Sequence, residues 1–167
     1  MPLDPAIKAV YVSASRRRPH ASQDPATERR DALELDRQVV ADFTVPVRAI
    51  ETRDVTVPVP GYPDVRLRLF IPPVAGPLPA YLAFFGGSFR RGGVEWPSAS
   101  SAFAFRALRT PAITVAVDYA LAPEHPYPAA VHQGMAGLEW VAREGAGHGI
   151  DPARIAIGGM SSGGNLA

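Results

Sequence analysis

Near the end of a 167-residue chain, Gly159-Met160-Ser161-Ser162-Gly163 fits the pattern G-x-S-x-G. At that spacing a serine sits on a sharp turn between a strand and a helix, lifted clear of the sheet so that its hydroxyl can attack an acyl carbon. The glycines two residues to either side let neighbouring backbone come close. Register selects Ser161, because Ser162 would need a glycine in place of Met160. The competing reading of such a serine is an ordinary helix N-cap. Acyl transfer also needs donors for the oxyanion that develops on the carbonyl. A second loop, Phe85-Gly86-Gly87-Ser88-Phe89, can supply backbone N–H groups with little side-chain obstruction, although a glycine pair after a strand is also a common turn. A dinucleotide-binding fingerprint fails on spacing, and a phosphate-binding P-loop fails for want of its lysine.

Both loops must be carried by regular elements. Ala80 to Phe85 is a continuous apolar run, as expected of a strand covered on both faces, and Ala153 to Ile157 is a short apolar strand leading into the serine turn. Helix is expected from about Ser98 to Leu108, a buried strand from Ala112 to Val117, helix again from Pro128 to Arg143, and a helical start at Gly163 to Ala167. Within the second helix Val131, Met135, Leu138 and Val141 form the candidate core face. Strands separated by helices imply right-handed crossovers and a mostly parallel sheet. Upstream, Val55 and Val57, the turn Gly61-Tyr62-Pro63-Asp64, and Val65, Leu67, Leu69 and Ile71 alternating with Arg66, Arg68 and Phe70 read as a hairpin at a sheet edge. Before it, Asp24-Pro25 is a good N-cap and first-turn pair, and Ala32, Leu35, Val39, Val40 and Phe43 recur at helical spacing up to Pro46. Arg16-Arg17-Arg18 reads as a solvated loop.

Composition narrows the function classes. An apolar fraction of 47% and a charged fraction of 20% are those of a globular protein able to bury a sizeable core. The net charge of +1 gives no field to gather nucleic acid or anionic membrane. There is no cysteine, which excludes disulfides, thiolate metal sites and a cysteine nucleophile. No run approaches the roughly 18 apolar residues of a spanning helix, and the first ten residues lack a long apolar core. The expected compartment is the cytoplasm.

Three separated stretches resemble the hormone-sensitive-lipase-like family of α/β-hydrolases, bacterial carboxylesterases and lipases: FFGGSF at 84–89, VDYALAPEHPYPAA at 117–130 and GGMSSGGNLA at 158–167. The family's pattern in these places is typically HGGGF, DYRLAPEHPFPAA and GDSAGGNLA. The resemblance implies an α/β-hydrolase fold with helices on both faces of the sheet and an N-terminal helical cap. Residues 1–45 correspond to part of that cap, and residues 46–167 to the N-terminal part of the catalytic domain. Ser161 corresponds to the nucleophile. The backbone N–H groups of Gly87, Ser88 and Ser162 correspond to the oxyanion hole, with Gly86 shaping its loop. A small-molecule ester is the implied substrate, with no metal and no organic cofactor. The alternative is a non-catalytic small-molecule-binding protein on the same scaffold.

The chain departs from the family's pattern at four places. Phe85 stands where the loop histidine would be, Ser88 replaces the third glycine, Met160 replaces the acidic residue beside the nucleophile, and Ala120 replaces an arginine. In this fold the acid and histidine of the triad follow the serine, but residues 162–167 contain no Asp, Glu or His. His20, His125, His132 and His148 lie elsewhere and read as structural or surface groups, and Asp118 and Glu124 as loop-holding residues. The expectation is a chain cut off after the serine turn. It should have little activity alone and self-associate through an exposed sheet edge.

Overall fold

The computed structural model describes residues 24–43 and 50–167, together with Asp4, Pro5, Lys8, Ala9 and Val12. Arg16-Arg17-Arg18 and His20 lie outside the described residues. Helix α1 (Pro25–Phe43) starts where the sequence signals it. The Asp24 carboxylate accepts the Thr27 N–H at 3.0 Å and the Thr27 hydroxyl at 2.6 Å, satisfying a first-turn donor that the helix itself cannot.

Strands β1 (Glu51–Val57) and β2 (Val65–Ile71) form an antiparallel hairpin, with Val57 opposite Val65. Strands β3 (Leu78–Phe84), β4 (Ile113–Asp118) and β5 (Ile150–Gly159) complete a five-stranded sheet in the order β1-β2-β4-β3-β5. β3 runs parallel to both β4 and β5, whereas β2 is antiparallel to β4. The sheet is therefore mixed. The crossover elements give the parallel order expected of them, and the hairpin adds an antiparallel edge.

Helices α2 (Pro97–Arg109) and α3 (Ala129–Glu144) cover opposite faces. On β2, Phe70 meets Phe103 of α2 at a ring separation of 5.8 Å, while a Cβ on Gly137 of α3 would lie 3.2 Å from Leu67. Positions 67 and 70 point to opposite sides of a pleated strand. Leu67, Leu69, Leu82, Val115 and Val117 are buried between the layers.

The face of α3 that meets the sheet differs from the expected one. Val131 and Met135 are exposed, whereas Ala129, Gln133, Gly134, Gly137 and Val141 are buried. The cause is proximity: a Cβ at Gly134 would stand 3.2 Å from the Phe84 ring, so the helix lies too close to the sheet for large side chains. Gln133 is tolerated there because its amide is satisfied. Its oxygen accepts the Ala120 N–H at 2.6 Å and its nitrogen donates to the Pro63 carbonyl at 2.8 Å. At the other edge, β5 pairs only with β3 among the described residues and leaves Ile157 exposed.

Candidate active site

β5 delivers Ser161. Past Gly159 the chain turns sharply: the Met160 N–H donates to the Phe84 carbonyl at 3.2 Å, and Ser161 adopts φ 53° and ψ −119° before helix α4 (Ser162–Leu166). Positive φ in a non-glycine residue costs roughly 1–3 kcal/mol and persists only when its surroundings hold it. Here they do. Cβ atoms built on Gly159 or Gly163 would run into the main chain, Gly159 against the Gly163 carbonyl and Gly163 against the carbonyl oxygens of Phe84 and Phe85. The two glycines of the motif thus permit backbone to pack on backbone. Ser161 makes no side-chain capping bond to its helix, in contrast to Asp24, so the N-cap reading does not describe it.

The glycine loop after β3 lies against this turn. A Cβ on Gly86 would stand 2.8 Å from the Met160 carbonyl oxygen and 3.3 Å from the Ser161 Cβ. Gly87, Ser88 and Phe89 follow with φ of 148°, 57° and 60°. Gly87 alone has the freedom this demands, since its Cβ would collide with the Arg91 carbonyl. The Arg90 and Arg91 N–H groups both donate to the Gly87 carbonyl at 3.1 Å, and the Ala122 N–H donates to the Phe89 carbonyl at 2.8 Å. Ser88 carries its strain without the glycine of the resembled pattern. Ser88→Gly should raise stability by at most about 1 kcal/mol, because relief of the left-handed strain exceeds the added chain entropy only slightly. Thermal denaturation of the two proteins measures it.

Of the expected oxyanion donors, the Gly87 N–H is the one that has a partner among the described residues: it donates to the Ser162 Oγ at 3.0 Å. Ser162 is buried and also hydrogen-bonds the Tyr119 hydroxyl. Tyr119 in turn donates to the Phe85 carbonyl at 2.8 Å. Burial pushes the Tyr119 phenol above its ordinary value, with the Ser162 bond opposing, so it stays a neutral donor. Its ring stacks on Phe85 at 4.1 Å and 7°. Phe85 therefore acts by packing where the resembled pattern has a hydrogen-bonding histidine, and Gly92 leaves room for its ring.

Tyr119 is not among the site residues expected from the sequence. Its signal was the aspartate-tyrosine pair in the matched middle stretch.

Asp118 and Glu124 hold loops, as expected. Asp118 accepts the Val94 N–H at 3.1 Å through one oxygen and pairs with Arg66 at 2.7 Å through the other. Glu124 is bound by Arg29 of α1, whose hydrogen bonds hold its carboxyl below the ordinary carboxylate range. These residues line an open cavity of about 340 Å³ together with His125, but its charges are already paired. His132 stacks on Tyr62 at 4.5 Å, and His148 packs against Trp140. Among the described residues no group of three His, Asp or Glu side chains converges to hold a metal, and no helix is long and apolar enough to cross a membrane.

Residues 81–167, which contain both loops and the serine turn, match the family described as alpha/beta hydrolase fold. The chain belongs to the alpha/beta hydrolase fold family. It is 41% identical over 126 residues to the carboxylesterase NlhH of Mycobacterium tuberculosis, a match covering 74% of this chain and 38% of NlhH. It is 37% identical over 142 residues to the esterase LipI of the same organism, covering 82% of this chain and 43% of LipI. Among solved structures, the hyperthermophilic esterase of the archaeon Pyrobaculum calidifontis superposes with a TM-score of 0.86 at 33% identity, over 100% of this chain and 52% of that one. The chain thus spans from about two-fifths to half the length of these relatives.

Proposed function

We propose that the chain carries the nucleophile and the oxyanion loop of a serine carboxylesterase. The carrying observation is Ser161, held at positive φ on a strand-to-helix turn, uncapped, with Gly86 packed against it. In this reading the Ser161 Oγ attacks the ester carbonyl carbon while a histidine takes its proton. The carbonyl oxygen becomes an oxyanion facing the N–H groups of Gly87, Ser88 and Ser162. Collapse breaks the bond to the alcohol, which leaves with the proton, and water releases the acid from the acyl-serine. Residues 1–45, which include α1, are read as part of a cap, and residues 46–167 as part of the catalytic domain.

Because the triad acid and histidine follow the serine in this fold and residues 162–167 supply neither, the 167-residue chain by itself is expected to turn over esters little. A second reading, a non-catalytic binding protein on the same scaffold, is favoured by one observation: the Gly87 N–H is already engaged by the Ser162 Oγ.

The test uses p-nitrophenyl butyrate and a fluorophosphonate probe on two proteins, the 167-residue chain and a chimera in which the remaining half of NlhH follows Ala167. The expected result is no turnover by the chain, and turnover by the chimera with the probe mapped to Ser161. Turnover by the chain alone would overturn its inactivity. A chimera that binds the ester without turnover or labelling would establish the binding reading instead.

A further inference from the structure

Two neighbouring side chains on the first turns of α1 reach the loops beside Ser161. The Arg29 guanidinium makes four hydrogen bonds: Nε to the Arg90 carbonyl at 2.7 Å, Nη2 to the Ala122 carbonyl at 2.8 Å, and Nη1 and Nη2 to the Glu124 carboxylate at 2.9 and 2.5 Å. Beside it, the Glu28 carboxylate accepts from Arg90 at 2.9 Å and faces Arg91 at 3.6 Å. One planar cation thus ties α1 to the end of the glycine loop and to the 121–125 loop at once. The Arg29 side chain is only 27% exposed, which shields these bonds in part from water.

What it grips is the most strained segment beside the site. Ser88 and Phe89 both sit at positive φ, and an unrestrained loop would relax out of that conformation. One end of the segment is tied to the serine turn through the Gly87 N–H and the Ser162 Oγ. The other end is tied through the Ala122 N–H to the Phe89 carbonyl and through Arg29 to the very next carbonyl, Arg90.

We propose that Arg29 is a positioning residue, which holds the loop 86–89 in its strained conformation against the Ser161 turn and so makes helix α1 part of the catalytic geometry. The proposal rests on the esterase reading above. Lysine cannot replace it: a single ammonium on a flexible stem does not span two carbonyls and a carboxylate in one plane.

Hydrogen exchange by mass spectrometry on the 167-residue chain tests the clamp. Arg29→Gln should speed exchange of the amides in 86–91 and 119–125 about tenfold or more, leaving β3 and β4 unchanged. Arg29→Lys should resemble Arg29→Gln, and Glu124→Gln should do less because both carbonyl bonds remain. If Arg29→Gln does not fold, the contrast between Arg29→Lys and Glu124→Gln decides. In the chimera, Arg29→Lys should lower kcat about tenfold with KM within about twofold. Unchanged exchange in both loops, a uniform rise that includes β3 and β4, full rescue by lysine, or an effect on KM alone would each overturn the proposal. A chimera inactive with Arg29 in place overturns the esterase reading, and the exchange pattern then decides the clamp separately.

Discussion

Ser161→Ala in the chimera should lower kcat/KM by on the order of 10⁴-fold or more, since the members of a serine triad act as a unit and what survives is binding and oxyanion stabilisation. The same substitution should leave the melting temperature of the 167-residue chain within about 2 °C, because an exposed hydroxyl with no capping bond is removed and alanine tolerates positive φ no worse than serine. This pair of results separates the nucleophile from a structural serine. A helix N-cap would show the opposite pattern, a loss of about 1 kcal/mol in stability with turnover intact. Steady-state kinetics and thermal denaturation on the same preparations measure both. Turnover retained by the alanine variant would sink the assignment of Ser161.

Gly163→Ala should be among the most damaging single methyl groups that could be added to the chain. Gly163 needs no special φ, so the effect is purely steric: its Cβ would press on the carbonyl oxygens of Phe84 and Phe85 and stand 2.7 Å from the Phe84 carbonyl carbon. Neither neighbour is a side chain that can swing away. Both belong to the strand end and loop that position Gly86 and Gly87. Overpacking typically costs 1–3 kcal/mol, and backbone contact on this scale puts the expectation at about 3 kcal/mol, or roughly 6–12 °C in melting temperature for a chain of this size. Fluorophosphonate labelling of the chimera should fall with it, because the turn can relieve the clash only by moving Ser161. Gly147→Ala is the control: nothing lies within 4 Å of its Cβ and its φ is not positive, so it should be neutral or slightly stabilising. Equal melting temperatures for the two variants would refute the steric account.

Local signals made much of this legible. The apolar run ending at Phe85, the alternation from Val65 to Leu69, the Asp24-Pro25 start and the spacing around Ser161 each report a constraint that acts within a few residues. What depended on distance was not legible. That β2 pairs antiparallel with β4 is decided by how the hairpin folds onto the first crossover unit, and no residue in β2 encodes it. The face of α3 departs from the expected one because apolar spacing assumes that large residues point inward. The close approach of the helix to Phe84 and Leu67 reverses that preference in favour of Gly134 and Gly137. Arg29 and Tyr119 escaped notice for a related reason. Two of the four Arg29 hydrogen bonds and the Tyr119 donation go to main-chain carbonyls of distant loops, and a carbonyl leaves no mark in a sequence.

The parallel pairing of β3 with β5 also has a bearing on how the chain folds. Ser161 is strained only while its turn is pinned to Phe84, Phe85 and Gly87, and Gly87 and Ser162 are 75 residues apart along the chain. Closing so long a loop demands entropy that local hairpins and helices do not, so such contacts tend to form late. In a nascent or partly folded chain Ser161 is then an ordinary serine in a glycine-rich segment. The strained conformation of Ser161 would arise when β5 pairs with β3 and not before, so the geometry of this turn is set by tertiary contact and not by its local sequence.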